Sequence, residues 1–428
     1  MRKTFAEGFA PRILASALAV FAVSCAESPS APAPDAAPKS APATVAPATP
    51  AAPAATAGPS ILQQPIQPLD DAVLRAANGL FASAQVAAPP DRHALVIDPL
   101  VDGLTGTQTN ATVSMEQKIT NLARAAYPRF DVQPFTTATL AKKPIILIGT
   151  FTTINANAQT SGARESYRIC LALADLRTGK IVAKGIARAQ LANVDAIPLA
   201  YYADSPFVAP DRVTEGYVKS CQGTRVGDSL DPAYLDNIAA SAEINDAIAA
   251  YNAKHYQQAL DIFINVLGTK AGDQLRVRNG IYLVSVKLGR KSDATEAFGA
   301  IVDYGLANKR LAVKFLFAPG STFFVNDQLA SAQYPMWLNQ IATHTAKTNL
   351  CLDIVGHTSA SGSAAINERI SLQRAQYVKQ RLDTEAPVLK ARTKALGVGS
   401  DENLVGLGSD DAKDALDRRV EFKVVDCG

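Results

Sequence analysis

Apolar positions change period several times along the chain. Ile13–Val23 (ILASALAVFAV) is a short unbroken apolar run behind a basic start of Arg2, Lys3 and Arg12, and small residues lead from it to Cys25. That order reads residues 1–25 as a secretory leader. Residues 28–60 lose all periodicity and are almost wholly Ala, Pro, Ser and Thr. Such a segment buries too little apolar area to offset its ordering entropy, so residues 26–88 are expected to be a disordered tether. From about residue 90 to 200 the pattern alternates. His93–Leu100 and Pro144–Phe151 read as buried strands and Ser114–Tyr127 as a helix. Ser166–Asp175 and Ile181–Ala189 read as a hairpin across Arg177-Thr178-Gly179-Lys180. A helix packed on a small mixed sheet follows, giving an α/β domain over 89–225. Residues 235–310 carry a helical period, with Tyr256, Ala259 and Phe263 on one helix and Gly289, Ala294 and Phe298 in a comparable place further on. A small residue in each such unit would let paired helices approach closely. Beyond 313, alternating strands flank a helix over Asn367–Leu382. The fold class expected is α+β and multidomain.

The formal net charge of +3 and the scattered Lys and Arg remove nucleic acid as a partner. No stretch reaches the roughly 18 to 20 apolar residues that cross a bilayer. His93, His255, His344 and His357 lie far apart, none at metal-ligand spacing from a second His or Cys, so no metal and no cofactor is expected. The sequence offers no convergent acid pair, Cys–His pair or metal set, and no enzyme is expected.

The ending Ala22-Val23-Ser24-Cys25 resembles a bacterial lipobox, which implies that Cys25 is lipidated. Ala26 after it, rather than Asp, implies the outer membrane, with the protein facing the periplasm. The other reading is ordinary cleavage near Cys25 and a soluble periplasmic protein. The Ala/Pro tract, extended at about 3.1 Å per residue, could span up to roughly 100 Å.

With Cys25 set aside, Cys170, Cys221, Cys351 and Cys427 are an even number in an oxidising compartment. Spacing pairs Cys170 with Cys221 and Cys351 with Cys427. For the second pair there is also geometry. Leu350, Leu352 and Ile354 form one strand face and Val420, Phe422 and Val424 another, which puts Cys351 and Cys427 on the opposite faces. Antiparallel neighbours would bring the two sulfurs together; unpaired buried thiols are the alternative.

On the helix 367–382, Ile370, Ser371, Ala375, Val378 and Leu382 form one stripe, and Ser371 and Ala375 permit close packing. Arg374 falls on the edge of that stripe. A guanidinium there is costly unless an anion meets it. That anion is either a protein carboxylate, such as Asp353 or Asp417, or a ligand carboxylate.

The run Ile354-Val355-Gly356-His357-Thr358, followed by Gly362, Asn367, Ile370-Ser371, Arg374-Ala375, Val378 and Leu382, resembles the OmpA-like peptidoglycan-binding domain. Phe317-Ala318-Pro319-Gly320-Ser321, Leu396-Gly397-Val398-Gly399 and Asp417-Arg418-Arg419-Val420-Glu421 are similar to its opening and closing elements. The resemblance covers 313–428 and implies a βαβαβ core that holds the diaminopimelate side chain of the wall peptide. It implies that Arg374 takes the carboxylate, with Asn367 and Arg419 as supporting polar groups. The family's amine-binding Asp is Ser359 here, its first-strand Asp is Ala318, and Asp417 stands where an Asn is usual. The segments AYNAKHYQQALDIF and LVSVKLGRKSDATEAF resemble tetratricopeptide repeats, which would give a protein partner a surface; a generic helical hairpin is the alternative. The hairpin Leu173–Ile181 weakly resembles the small domain of CsgG-like and LpoB-like lipoproteins. Together these imply an outer-membrane lipoprotein that links the envelope to peptidoglycan. The rival expectation is a scaffold of an envelope complex with vestigial wall binding.

Overall fold

The computed structural model describes residues 60–87, 91–207, 210–311, 313–326, 331–404, 406, 408 and 414–427. The leader, Cys25 and the tract up to residue 59 lie outside the described residues. In chain order the elements are β1 (Ile66–Gln67), α1 (Leu69–Ser83), β2 (His93–Ile97), β3 (Val101–Asp102), α2 (Asn110–Ala126), β4 (Phe130–Val132), α3 (Thr137–Leu140), β5 (Ile145–Ile154), β6 (Ser166–Asp175) and β7 (Lys180–Ala189). Helices α4 (Ala200–Asp204), α5 (Arg212–Gln222), α6 (Pro232–Leu235), α7 (Ile238–Asn252), α8 (Tyr256–Leu267), α9 (Leu275–Lys287) and α10 (Lys291–Ala307) follow. The chain then forms β8 (Phe315–Leu316), α11 (Tyr334–Ala346), β9 (Leu350–Gly356), α12 (Ala364–Glu385), β10 (Thr393–Gly397) and β11 (Arg419–Asp426).

The first sheet is mixed, in the order β1-β7-β6-β5-β2-β4, with β3 beside β5. All ten residues of β5 are buried, because both faces are covered. Leu147 and Phe151 point into a core with α1 and α2, while Ile146 and Ile148 point into another with Tyr217 and Cys221 of α5. Strands β6 and β7 pair antiparallel as the expected hairpin. Its turn closes through Gly179, whose φ of +69° suits glycine.

Two expectations need correction here. The tether does not run to residue 88. Residues 69–83 form α1, which buries Val73, Ala76, Ala77, Leu80 and Phe81 against β6 and β7. Asp70 and Asp71 in its first turn favour that helix through the backbone dipole. Gly289 is not a packing residue; it sits between α9 and α10 at φ +71° with open space around it. The close approach is made by Gly280, where a Cβ would lie 2.3 Å from the Phe263 ring of α8.

The second sheet is also mixed, in the order β10-β9-β11-β8. Strand β9 pairs parallel with β10 and antiparallel with β11. The helices α7–α10 do not end at a boundary before this sheet. One core runs from Tyr201 through Phe263, Phe298 and Trp337 to Phe315 and Phe422. Phe298 of α10 and Trp337 of α11 stack with centroids 5.3 Å apart, and the indole N–H donates to the Tyr282 hydroxyl at 2.7 Å. Among the described residues, no helix is long and apolar enough to cross a membrane.

Candidate functional site

Strand β9 and helix α12 set the geometry of the C-terminal site. A Cβ on Gly356, at the end of β9, would lie 1.9 Å from the carbonyl oxygen of Ser371. Only glycine permits this crossing, and the small Ser371 and Ala375 complete the contact, as the sequence pattern suggested. The crossing places Arg374 over the end of β9.

Arg374 is 1% exposed. Its Nη1 donates to the His357 carbonyl at 3.0 Å, its Nη2 to Ala318 at 3.0 Å and its Nε to Ser321 at 2.8 Å. The guanidinium also lies over the Phe317 ring, 5.2 Å from its centroid. No carboxylate pairs with it among the described residues, so neither Asp353 nor Asp417 is its partner. Backbone carbonyls of the β8 turn and of the β9 end take that place. Burial, and then the charge of Arg418, pull its pKa down to about 10, so it stays a cation at neutral pH.

The buried Asp417 carboxylate accepts from Leu404 N at 2.5 Å and Gly406 N at 2.7 Å. It therefore holds the backbone at Leu404 and Gly406. Ser359 is 3% exposed, with its hydroxyl 2.9 Å from that of Ser361. Asn367 is buried in the first turn of α12, near Gly362. Arg419 is buried on β11. Its Nε donates to Glu421 at 3.1 Å and its Nη2 to the Glu402 carbonyl at 3.3 Å. The four positions thus gather around the β9 end, the α12 start and the loop before β11.

Sequence reasoning missed a cluster around His357, whose ring is fully buried. Its Nε2 lies 3.2 Å from Glu421 Oε1 and its Nδ1 4.0 Å from Glu402 Oε2. Burial, and then Arg419, lower the His357 pKa. Burial works to raise Glu421, but the His357 hydrogen bond and the Arg419 charge outweigh it and hold Glu421 at about 2. The three residues are close enough to converge on a metal ion. Arg419 and Lys423, 3.1 and 3.4 Å from the two carboxylates, already balance their charge. No local spacing signals the cluster, because Glu402 comes from a distant loop.

The cysteines divide. Cys351 and Cys427 form the expected disulfide, with Cα atoms 5.1 Å apart, and β9 and β11 pair in the register the strand faces required. Cys170 and Cys221 are buried free thiols with sulfurs 2.7 Å apart, so the expected second bridge is not formed. Each thiol instead donates to the other residue's carbonyl, at 2.8 and 3.0 Å across the β6–α5 interface.

No family model and no curated protein matches the chain. Among solved structures, the peptidoglycan-associated lipoprotein from Burkholderia pseudomallei aligns at 25% identity and TM-score 0.23, covering 26% of this chain and 89% of that one. The C-terminal domain of Helicobacter pylori MotB aligns at 17% identity and TM-score 0.22, covering 27% and 85%. The cell wall anchor of the T6SS from Pseudomonas aeruginosa aligns at 23% identity and TM-score 0.21, covering 26% and 76%. Each likeness spans about a quarter of this chain, and at these scores it fixes neither family nor function.

Proposed function

We propose that this chain is an outer-membrane lipoprotein whose residues 313–428 bind peptidoglycan non-covalently, linking the envelope to the wall without catalysis. One observation carries the reading: Arg374 is a buried cation with no carboxylate partner among the described residues. Three of its five N–H donors are fixed on backbone carbonyls, which leaves two donors on a pre-positioned charge. Arg418 follows Asp417 and precedes Arg419, so further positive charge stands nearby. A diaminopimelate carboxylate is the anion that the resemblance to OmpA-like domains supplies. Phe323, 78% exposed on the turn that Arg374 ties down, offers an apolar surface for the rest of the ligand.

In the full chain, Arg374→Ala is expected to abolish sedimentation with purified diaminopimelate-type wall. Arg374→Lys should weaken it, because an ammonium lacks the planar two-point contact. Ser359→Asp should tighten it by returning a charge to the amine position. Urea unfolding of each variant separates lost binding from lost folding. Equal sedimentation of all of them with the parent would remove Arg374 and Ser359 as a wall-binding site. Fractionation tests the anchor: Cys25→Ala should release the protein from membranes, and unchanged fractionation would refute lipidation. The neutral hydroxyl at Ser359 favours a second reading, a scaffold lipoprotein with a protein partner on α7–α10. Equal sedimentation would select it.

A further inference from the structure

We propose that Arg164, on the connection between β5 and β6, and Asp401 form a second anchor point for the wall peptide. They would take a carboxylate and an ammonium of the ligand in a cleft between the two sheets; this rests on the wall-binding reading above. The connection is held in place by Asn155. Its amide donates to the Ser161 carbonyl at 2.9 Å and its Oδ1 accepts from Asn157 N and Gln159 N at 2.8 and 2.9 Å. Arg164 then reaches the C-terminal loops and donates Nη2 to the Asn403 carbonyl at 2.6 Å. Its Nε and Nη1 are buried without a hydrogen-bond partner among the described residues.

The neighbouring carbonyl, that of Glu402, accepts from Arg419, whose buried Nη1 lies 4.0 Å from the Asp417 carboxylate. Two arginines from opposite sheets therefore meet on adjacent carbonyls, and Arg164 is the one with donors left over. Asp417 is the carboxylate whose charge favours Arg164 most, and its oxygens already accept from Leu404 and Gly406. Buried N–H groups in this state favour an incoming anion.

A cleft of about 540 Å³ opens beside Arg164, lined by it and by Ala360, Ser400, Asp401 and Asn403 among others. That volume suits a small peptide segment. Ala360 adjoins Ser359. With its amide turned to satisfy its surroundings, Asn403 donates to Thr358 O at 2.9 Å and Ser400 O at 3.0 Å and accepts from Ala360 N at 3.2 Å. The cleft is thus continuous with the loop that carries the candidate amine position. Asp401, exposed at its edge, supplies the negative charge that Ser359 lacks. A stem peptide carries more than one carboxylate as well as the diaminopimelate ammonium, so one ligand can meet both Arg374 and this pair.

The test is calorimetric titration of the full chain with a soluble diaminopimelate tetrapeptide stem, in its acid form and amidated at each of its free carboxylates in turn. Arg164→Ala is expected to weaken the acid form about tenfold, and Asp401→Asn about as much. Against one of the amidated peptides, Arg164→Ala should change nothing further. Arg164→Lys should recover part of the loss, and urea unfolding monitors the fold of each variant. If the parent binds and both variants bind within twofold of it, the second anchor is wrong while wall binding stands. Equal loss against every peptide of the set makes Arg164 a latch between the sheets and overturns a ligand contact. A parent that binds no stem peptide overturns both readings.

Discussion

Removing the Cys351–Cys427 bridge should cost stability without touching the candidate site. The bridge closes a loop with a sequence separation of 76. The chain-entropy relation for a loop of that length gives roughly 15 cal/mol/K, or about 4.5 kcal/mol at 25 °C, lost from the unfolded ensemble. The native ladder beside the bridge, Val425 opposite Cys351 and Asp426 opposite Leu350, remains when the sulfurs go. The double variant Cys351→Ser, Cys427→Ser should therefore keep its fold and unfold at lower urea. It should also show a steeper denaturant slope, because its unfolded chain exposes more surface. Trp337, the single tryptophan, reports the transition from inside the shared core. His357 lies six residues along β9 from Cys351, about 20 Å at strand rise, so wall binding by the folded variant should be unchanged. A loss below about 1 kcal/mol with an unchanged slope would refute the entropic account.

Asp98 is buried, accepts from the Tyr234 hydroxyl at 2.6 Å, and is pushed by burial to about 7. The folded state then holds the proton more tightly than the unfolded one, so its share of stability is intact below about pH 4 and is lost as pH rises through about 7. That share is on the order of 4 kcal/mol. Asp98→Asn should raise the urea midpoint at pH 8 and flatten the slope between about pH 4 and 7; an unchanged slope would exclude Asp98 as its source. Gly356→Ala forces a Cβ onto the Ser371 carbonyl and should destabilise by about 3 kcal/mol or more. Gly79→Ala, in open space on α1, should instead stabilise by about 0.5 to 1 kcal/mol. A neutral result at Gly356 would contradict the crossing, and a destabilising one at Gly79 would contradict the helix.

The sequence was legible wherever one face of an element is buried and its period is clean. Alternation in Leu350–Val355 and Val420–Cys427 put both cysteines on matching faces, and the antiparallel pairing that the expected bridge required is present. The stripe through Ser371, Ala375, Val378 and Leu382 predicted the buried face of α12, which runs slightly longer at both ends than expected. Helix α1 was hidden by composition. Its Ala-rich stretch adjoins the Ala/Pro tract, yet Val73, Ala76, Ala77, Leu80 and Phe81 keep a helical period that could have revealed it. At the site, Arg374 was found by its place on the apolar stripe, but its partners are carbonyls, which every residue carries and no motif marks. Arg164 reaches a carbonyl 239 positions away, through a loop whose path no local pattern encodes. Cys170 and Cys221 were matched correctly as neighbours, but spacing says nothing of the bond between them.

The order of strands in the second sheet has a consequence for biogenesis. β8 lies at an edge, and its sheet neighbour is β11, with Leu316 opposite Arg419, roughly a hundred residues later in the chain. A chain crossing a membrane from its N-terminus would deliver β8, α11, β9, α12 and β10 first, while the slot between β8 and β9 stood open. Until β11 arrives, the exposed edges of β8 and β9 are templates for mispairing. Arg419, Glu421 and the Cys427 sulfur come with β11, so site, charge network and bridge are completed in one late step. A chain interrupted before that step lacks Arg419 and Glu421 and keeps two open strand edges.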